Sequence, residues 1–376
     1  MTASDATILN PNDRIGILGG GQLGRMLAMA ATRLGLRPVI LCPDENCPAA
    51  ITADQHIIAD YEDEVGLATL AAAANVVTYE FENVPAASVA CLTRLGARVA
   101  PGATPLSIAQ DRLKEKEFVR SLGGKTPEFY AVDSLEDLRA GLAVTGTPAI
   151  LKTRRLGYDG KGQTRIGTDT DNLDRTWDAA INHAWAEVGA RPSILEALVP
   201  FQCEISVIAA RGVAPDATGP APIAMYDPPK NDHRNGILWR STVPAPVPLA
   251  VIEDAKAMTH TMLEALDYVG VVGVEFFVLA DNTLMINEFA PRVHNSGHWT
   301  EAVCTISQFE QHIRAVAGWP LGDTTRHSDA RMENLIGDEV TAWQNRLATP
   351  NVLVNLYGKQ QIRPGRKMGH VTMVSA

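Results

Sequence analysis

The chain is poor in cysteine, in positive charge and in long apolar runs, and each shortage excludes a class of protein. Five cysteines in 376 residues are an odd number, and none forms a Cys-x-x-Cys pair. This argues against a disulfide framework and for free thiols in a reducing compartment. No apolar segment approaches the roughly 20 residues that span a bilayer. Residues 1–13 are polar and lack the hydrophobic core of a secretory signal, so we expect a cytoplasmic protein.

The scarcity of positive charge excludes a further class. The chain has 33 Lys and Arg against 43 Asp and Glu, a formal net charge of -10. Binding nucleic acid requires clustered cations that neutralise phosphates, so no nucleic-acid partner is expected, although a local basic pocket for a small phosphate ester is still allowed. The remaining composition, 46% hydrophobic and 20% charged, is that of an ordinary globular protein. The length predicts two or three domains.

Two glutamates are predicted to face each other across a hairpin. Residues 271–279 alternate like a strand, Asp281 and Asn282 form a turn signal, and residues 283–288 form the return strand. This register places Glu275 opposite Glu288, with paired carbons roughly 4.5–5.5 Å apart. Two carboxylates at that distance repel, so a hard divalent cation is the natural partner. The alternative is a solvated hairpin face, but the polar and cationic residues 289–300 favour a site for an anionic substrate.

A glycine-rich turn follows the first predicted strand. Residues 14–18 are apolar, glycines stand at 19, 21 and 24, and a helical run follows over 25–34. Glycines let the backbone approach a phosphate, and a helix N-terminus favours an anion. Asp44, after the next strand, is placed as the ribose-binding acid of a nicotinamide enzyme would be. A dehydrogenase therefore stays open, as does a turn that serves packing alone.

Two acidic residues follow the predicted strand over residues 75–79. Carboxyl ends of strands are where open α/β sheets bind ligands, and Glu80 and Glu82 would point to the same side of an extended chain. They either grip hydroxyls or an amine of a ligand or form a surface acidic patch. In the helix predicted over 104–121, by contrast, most charged side chains are expected to face solvent.

The middle of the chain carries a candidate phosphate site. Lys152 ends a predicted strand and is followed by a loop over 153–163 with three glycines and three cations, which makes four cations with Lys152 itself. This composition suits a flexible cover for phosphates and differs from a Walker loop; the alternative is a surface hairpin. Further on, the chain reverses at Pro200, where backbone groups would bind an adenine edge, and Glu204 would suit a ribose hydroxyl. Near the end, Lys359, Arg363, Arg366 and Lys367 suit a 5′-phosphate, or else form a solvated basic tail.

Taken in order, these segments resemble the ATP-grasp superfamily, and within it the N5-carboxyaminoimidazole ribonucleotide synthetases of purine biosynthesis. The resemblance covers essentially the whole chain. Its most specific marks are the segments 79–84, 157–163 and 287–300. It implies an α/β ATP-grasp fold of three domains, with an N-terminal Rossmann-like substrate domain over 1–109, a small lid over 110–190 and a C-terminal domain over 191–376. It also implies a homodimer.

The resemblance implies a reaction and a role for each site residue. ATP, bicarbonate and 5-aminoimidazole ribonucleotide would give the N5-carboxylated nucleotide, ADP and phosphate through carboxyphosphate. Mg²⁺ would be held by Glu275 and Glu288. The residues implied at ATP are Arg112, Lys152, Gly157, Tyr158, Asp159, Gly160, Lys161, Gly162, Gln163, Glu196, Ala197, Leu198, Val199, Glu204, His233, Asn287 and Glu288. Those expected at the ribonucleotide are Gln22, Leu23, Glu80, Glu82, Tyr158, Asn295, Lys359, Arg366 and Lys367. The catalytic set is Tyr158, Asp159, Lys161, Arg292, His294 and Asn295.

Three other functions compete with this one. A formate-dependent glycinamide ribonucleotide transformylase resembles the chain in its first domain and metal hairpin, but fits segments 79–83 and 294–299 less well. A nicotinamide dehydrogenase leaves Lys152, the glycine loop and the glutamate pair unexplained. A nucleotide-binding regulator without turnover would show a defect among the phosphate or metal residues, and the sequence has none.

Overall fold

The computed structural model describes residues 8–157, 161–167, 176–215 and 219–375. Within these residues the strands form three sheets, one parallel and two antiparallel. None of the helices in the described part of the chain is both long and apolar enough to cross a membrane.

The first sheet is parallel, with strand order β3-β2-β1-β4. Apart from β3, its strands are short and largely apolar, as is typical of parallel strands whose faces are covered by helices. β1 and β4 are neighbours, so the glycine turn after β1 and the acidic residues after β4 meet at one edge. The elements of this part are β1 (Arg14–Leu18), α1 (Gln22–Arg33), β2 (Arg37–Leu41), β3 (Gln55–Ile57), α2 (Glu64–Ala73), β4 (Val76–Tyr79), α3 (Ala86–Arg94) and α4 (Ala103–Ala109).

The single helix predicted over 104–121 is two helices, because α4 ends at Ala109 and α5 spans Arg112–Ser121. Asp111 caps α5 by accepting a hydrogen bond from the Leu113 N–H. The expectation that most charges of this helix face solvent was wrong: Asp111, Glu115 and Lys116 are each no more than 2% exposed. Each is buried because tertiary contacts supply its partner, and Arg154 lies 2.8 Å from Asp111.

The second sheet is small and antiparallel, with strand order β5-β8-β6-β7. It carries Lys152 near the end of a strand that is otherwise apolar and buried. Its last strand follows residue 190, where the lid domain was expected to end. The elements are β5 (Phe129–Val132), α6 (Leu135–Thr145), β6 (Ala149–Thr153), β7 (Gln163–Ile166), α7 (Trp177–Glu187) and β8 (Ser193–Ala197).

The third sheet is the largest, with order β14-β13-β9-β11-β12-β15-β17-β16, and β10 pairs with β9 outside that path. Its strands are β9 (Phe201–Arg211), β10 (Ile223–Met225), β11 (Lys230–Arg234), β12 (Ile237–Val243), β13 (Gly270–Leu279), β14 (Leu284–Ala290), β15 (Asp329–Ile336), β16 (Val352–Leu356) and β17 (Lys367–Ser375). The helices of this part are α8 (Leu249–Ala265), α9 (Thr300–Val303), α10 (Gln308–Ala317) and α11 (Trp343–Leu347).

The hairpin of β13 and β14 has the predicted pairing of Glu275 with Glu288 and one feature that was not predicted. Phe276 pairs with Ile286, so the register shifts by one residue at the next pair. The extra residue, Asn287, is a β-bulge beside the glutamate pair. Bulges re-aim side chains and are common next to active sites.

A buried histidine joins the first sheet to the third. His312 Nδ1 accepts a hydrogen bond from the Val271 N–H at 3.0 Å, and its Nε2 lies 2.8 Å from Thr78 Oγ1. Since Nδ1 is the acceptor, the proton is on Nε2 and is donated to the threonine. Burial lowers the pKa of His312 to about 3, so this link between β4 and β13 is uncharged.

Candidate active site

A cavity of about 1180 Å³ lies where the three sheets meet. It brings together all but one of the predicted site residues that the structure describes. The exception is Gly162, whose φ of 69° favours glycine and whose position leaves no room for a side chain beside Thr153. The predictions for Tyr158, Asp159 and Gly160 lie outside the described residues.

The two facing glutamates differ in the pKa of their carboxyl groups. Burial, followed by the charge of Glu288, raises the pKa of Glu275 to about 7. Burial alone would raise the pKa of Glu288 too, but Arg112, with Nη1 2.8 Å from the carboxylate, holds it below its usual range. A divalent cation between the carboxylates would remove their repulsion, so the pair fits such an ion. Within the described residues no group of three or more His, Cys, Asp or Glu side chains is placed to hold a metal ion.

A second group of charges surrounds the end of β6. Lys152 Nζ lies 3.0 Å from Glu196 Oε2, and Lys116 Nζ lies 3.7 Å from the same oxygen. Burial would raise the pKa of Glu196, but the two lysines lower it to about 2. Burial lowers the pKa of Lys152. These ions are held in place before any ligand arrives, which suits a phosphate-binding role for Lys152.

Sequence reasoning missed two residues of α5 that hold β14 in place. Lys116 Nζ donates a hydrogen bond to the carbonyl of Asn287, the bulged residue, and Glu115 accepts one from the Phe289 N–H at 2.6 Å. Their signal would have been the spacing from Arg112, since residues three and four apart share one face of a helix. α5 therefore fixes the backbone on both sides of Glu288.

The glycine turn after β1 is filled by a side chain of the protein itself. Glu80 accepts hydrogen bonds from the N–H groups of Gly21 and Gly24, the latter at 2.6 Å. A Cβ on Gly21 would lie 2.6 Å from the same carboxylate. Burial raises the pKa of Glu80. The turn thus receives a carboxylate rather than a dinucleotide phosphate, which removes the feature that supported a dehydrogenase.

Glu80 and Glu82 do not form a surface acidic patch. β4 ends at Tyr79, so the chain turns between the two residues and their carboxylates have different partners. Glu82 forms an ion pair with Arg292 Nε. Burial would raise the pKa of Glu82, but Arg292 lowers it. The pair ties the first sheet to the segment that follows β14.

The far end of the cavity has an aromatic wall and an ion pair. Phe201 and Phe277 stack with centroids 4.7 Å apart and an interplanar angle of 10°. Glu204 Oε2 lies 2.5 Å from His233 Nδ1. Burial would lower the pKa of His233, but Glu204 raises it. A flat apolar wall beside a carboxylate has the chemistry to hold a base and its ribose.

A directed chain of hydrogen bonds orients His294. Its Nδ1 accepts from the Ser296 N–H at 3.4 Å and lies 2.8 Å from Ser296 Oγ, which in turn lies 2.6 Å from Ser206 Oγ. Nδ1 is therefore the acceptor, and the proton is on Nε2, 3.3 Å from Glu275 Oε1. Burial lowers the pKa of His294 to about 3. A neutral His294 thus turns its N–H toward the glutamate pair.

The next residue, Asn295, has both amide atoms shielded from solvent and without a hydrogen-bond partner among the described residues. Such a side chain is costly unless a ligand satisfies it. Elsewhere in the cavity lining, Lys359 Nζ donates to the Lys367 carbonyl at 2.7 Å, and Arg366 Nη1 donates to the Gln361 carbonyl at 3.0 Å. These bonds shape the C-terminal cations into one lobe of the cavity.

Three family models match the chain. They are the ribonucleotide synthetase preATP-grasp domain over residues 13–110, the ATP-grasp domain over 117–309 and the phosphoribosylaminoimidazole carboxylase C-terminal domain over 330–376. Together they account for the order of the three sheets along the chain.

Relatives and solved structures cover the chain almost completely. The N5-carboxyaminoimidazole ribonucleotide synthase of Brucella melitensis is 53% identical, over 98% of each chain. The structure of the Staphylococcus aureus N5-carboxyaminoimidazole synthetase with ADP has a TM-score of 0.91 at 33% identity, covering 100% of this chain and 96% of that one. An Aspergillus clavatus N5-carboxyaminoimidazole synthase in complex with ADP and 5-aminoimidazole ribonucleotide has a TM-score of 0.87 at 28% identity, covering 97% and 94%.

Proposed function

Because this chain belongs to the family of N5-carboxyaminoimidazole ribonucleotide synthases, we propose that its cavity is the active site in which they act. The chain is an ATP-dependent ligase of the ATP-grasp fold, and its reaction is the carboxylation of 5-aminoimidazole ribonucleotide in purine biosynthesis.

One observation carries the proposal. The glutamate pair of the hairpin, the buried Lys152 and the cations after β14 all line a single cavity that is also bounded by Glu80 of the first sheet. ATP and a second anionic substrate can therefore meet within one enclosed space. A dehydrogenase would need none of these charges.

The first step transfers the γ-phosphoryl group. A bicarbonate oxygen attacks the γ-phosphorus, the bond to the ADP oxygen breaks, and carboxyphosphate and ADP result. Such a transfer needs positioning and charge neutralisation more than covalent chemistry. Lys152 and Arg112 would contact the phosphates, while Glu204 and the aromatic wall would hold ribose and adenine. Lys161 and the other described residues of the glycine loop would cover them.

We propose Mg²⁺ as the ion of the glutamate pair. When bound, it would supply positive charge that offsets the negative charge developing on the phosphates. Glu275 and Glu288 would supply its protein ligands. Asn287 stands beside them at the bulge, and Arg112 would turn from Glu288 to the phosphates.

The second step moves the carboxyl group to the nucleotide. The amine nitrogen attacks the carboxyl carbon, the carbon–oxygen bond to phosphate breaks, phosphate leaves and the amine loses a proton. Arg292, His294 and Asn295 would hold the carboxyphosphate, and the unpartnered amide of Asn295 supports this role. Tyr158 and Asp159, outside the described residues, remain predicted participants. Carboxyphosphate hydrolyses readily, so enclosure by the loop serves to exclude water.

The ribonucleotide would occupy the lobe between the first and third sheets. Lys359, Arg366 and Lys367 have the charge to bind its 5′-phosphate, since each lines that wall of the cavity. Gln22, Leu23 and Glu80, at the edge of the first sheet, would face the base and ribose. Glu82 would act indirectly, by holding Arg292 in position.

The decisive experiment is ADP release with Mg²⁺-ATP, 5-aminoimidazole ribonucleotide and bicarbonate, with each component omitted in turn. We expect ADP formation to need all of them and the carboxylated nucleotide to accumulate. ADP formation instead from glycinamide ribonucleotide and formate would refute the substrate assignment while leaving the ATP-grasp assignment intact.

The assembly and location also belong to the proposal. We propose a homodimer in the cytoplasm, consistent with five buried cysteines that are free thiols. Sedimentation velocity should give a species of twice the chain mass of 40.4 kDa; a monomer at micromolar concentration would contradict the dimer. Cell fractionation tests the compartment.

A further inference from the structure

A fully buried glutamine is hydrogen-bonded to the segment that carries the carboxyl-binding residues. Gln308, at the start of α10, is 0% exposed. Its Oε1 accepts a hydrogen bond from the His294 N–H at 2.9 Å, and its Nε2 donates to the His294 carbonyl at 2.7 Å. The same Nε2 lies 3.2 Å from Nδ1 of His298.

These contacts fix which end of the amide is oxygen. A backbone N–H only donates and a backbone carbonyl only accepts, so reversing the amide would oppose two donors at one end and two acceptors at the other. The nitrogen of Gln308 therefore faces His298. Because that nitrogen only donates, Nδ1 of His298 must be the acceptor, and the proton of this imidazole is on Nε2.

Nε2 of His298 opens into the cavity. His298 lines the cavity, and Nε2 has no hydrogen-bond partner among the residues described here. It is also not among the solvent-shielded polar atoms that have no partner, so a small part of its surface is accessible. An N–H donor therefore faces the space between the proposed carboxyphosphate and ribonucleotide sites.

The surroundings keep this donor neutral. The ring stacks on His370 with centroids 4.6 Å apart. Burial lowers the pKa of His298 well below its usual range, and His370, His294, Lys367 and Arg292 lower it further. The two cations among them, Lys367 and Arg292, would attract anionic oxygens toward the imidazole.

We propose that Gln308 is a positioning residue that holds His298 as the tautomer protonated on Nε2, so that this N–H donates a hydrogen bond to an anionic oxygen of the ligands in the cavity. A neutral imidazole can polarise an oxygen without releasing a proton to it. This property matters here because an N-carboxylated amine loses CO₂ when it is protonated. An imidazolium in the same position would endanger the product.

The tautomer can be measured without turnover, and so independently of the proposed function. Long-range ¹H–¹⁵N correlation on histidine-labelled enzyme separates the two neutral tautomers and the cation, and His298→Gln identifies the signal. We expect the Nε2-protonated pattern from about pH 6 to about pH 8. An Nδ1-protonated or cationic His298 in this range would overturn the proposal. Gln308→Glu, which can no longer donate, should change the pattern; if that variant does not fold, the wild-type spectrum still decides.

The ligand contact is tested by a matched pair of variants, and this part rests on the proposed function. His298→Gln keeps an N–H donor near the position of Nε2, whereas His298→Asn does not. We expect His298→Asn to raise one KM about 10-fold, as for loss of a hydrogen bond to a charged group, and His298→Gln to keep most of the affinity. If only the KM for the ribonucleotide rises, the oxygen that accepts from His298 belongs to the nucleotide. If only the KM for bicarbonate rises, it belongs to the carboxyl group. Equal losses in both variants would overturn the contact. His260→Gln, on the exposed side of α8, is the control.

Discussion

At the residue scale, the two facing carboxylates of the hairpin differ in what holds their charge. Glu288 has Arg112 at 2.8 Å, while Glu275 has the neutral His294 and the amide of Asn287. A carboxylate with a cation partner stays ionised, whereas one without it resists ionisation when buried. The pair therefore has one fixed charge and one that a metal would complete.

The fixed member of the pair is tested by Glu288→Gln. The variant keeps the side-chain shape but loses the charge proposed to hold the metal, so we expect turnover to fall about 100-fold or more. The melting temperature should change little, since this side chain is 42% exposed. Glu253→Gln, exposed on α8, is the control. Normal ADP release by Glu288→Gln would contradict the metal assignment.

A second residue-scale prediction concerns Glu115 and pH. Burial raises the pKa of this carboxyl to about 8, against about 4.3 in an unfolded chain. Between these values the folded state binds a proton that the unfolded state has released, so the contribution to stability falls as pH rises. Glu115→Gln cannot ionise and keeps an acceptor for the Phe289 N–H. It should match the wild type at about pH 5 and exceed it by about 1 kcal/mol or more at about pH 8.

Urea unfolding of both proteins at the two pH values checks this. Other titrating groups cancel because the variant is compared with the wild type at each pH. A stability difference that does not grow with pH would mean that Glu115 is ionised in the folded protein.

At the element scale, the bulge in β14 depends on a different element. Its extra residue, Asn287, has its carbonyl hydrogen-bonded by Lys116 of α5. A lysine 1% exposed is expensive to bury unless its charge is compensated, and here Glu196 supplies the compensation. α5 thus holds β14 and the end of β8 together.

Lys116→Met tests this connection. Methionine fills similar volume but cannot donate to the Asn287 carbonyl, so the bulge should lose its anchor and the KM for Mg²⁺-ATP should rise about 10-fold. Lys114→Met, on the exposed side of the same helix, should leave kinetics unchanged. Equal kinetics for the two variants would show that Lys116 has no positioning role.

The same elements show which features of the fold can be predicted from the sequence. The Glu275–Glu288 pairing followed from strand alternation and a turn signal, both of which are local. The bulge at Asn287 did not, because its carbonyl is hydrogen-bonded by a lysine 171 positions away in the chain, a contact that no local pattern indicates. Likewise, the buried side chains of α5 look like any charged helix until their partners on β14 and β8 are known. Gln308 went unnoticed for the same reason, since its partners are backbone groups 14 residues away.

At the scale of the whole molecule, the site exists only when the three sheets are assembled. Glu82 of the first part pairs with Arg292 of the third, and Thr78 contacts His312. Motifs spread along the chain identified the family and most of the cavity wall. They did not give these contacts between sheets, which depend on packing rather than on any local pattern.

Ligands that bind at the junction of sheets should stabilise the assembled molecule. A ligand at 100 times its Kd adds about 2.7 kcal/mol to the free energy of unfolding. We expect both Mg²⁺-ATP and the ribonucleotide to raise the melting temperature of the wild type. Arg366→Ala should abolish the shift caused by the ribonucleotide and retain the shift caused by Mg²⁺-ATP. Loss of the ATP shift instead would mean that the C-terminal cations serve the other substrate.

The ion pairs of the cavity have a consequence for how substrates enter. Lys152 already forms an ion pair with Glu196, and Arg292 with Glu82. An incoming anion must therefore replace a carboxylate of the protein as the partner of each cation. The opposite charges within each of these two ion pairs largely cancel at a distance, so the pairs attract a distant anion only weakly. The association rate should therefore depend little on ionic strength. A chain with a net charge of -10 can in this way bind polyanionic substrates, because short-range contacts inside the cavity, and not long-range attraction, distinguish one anion from another.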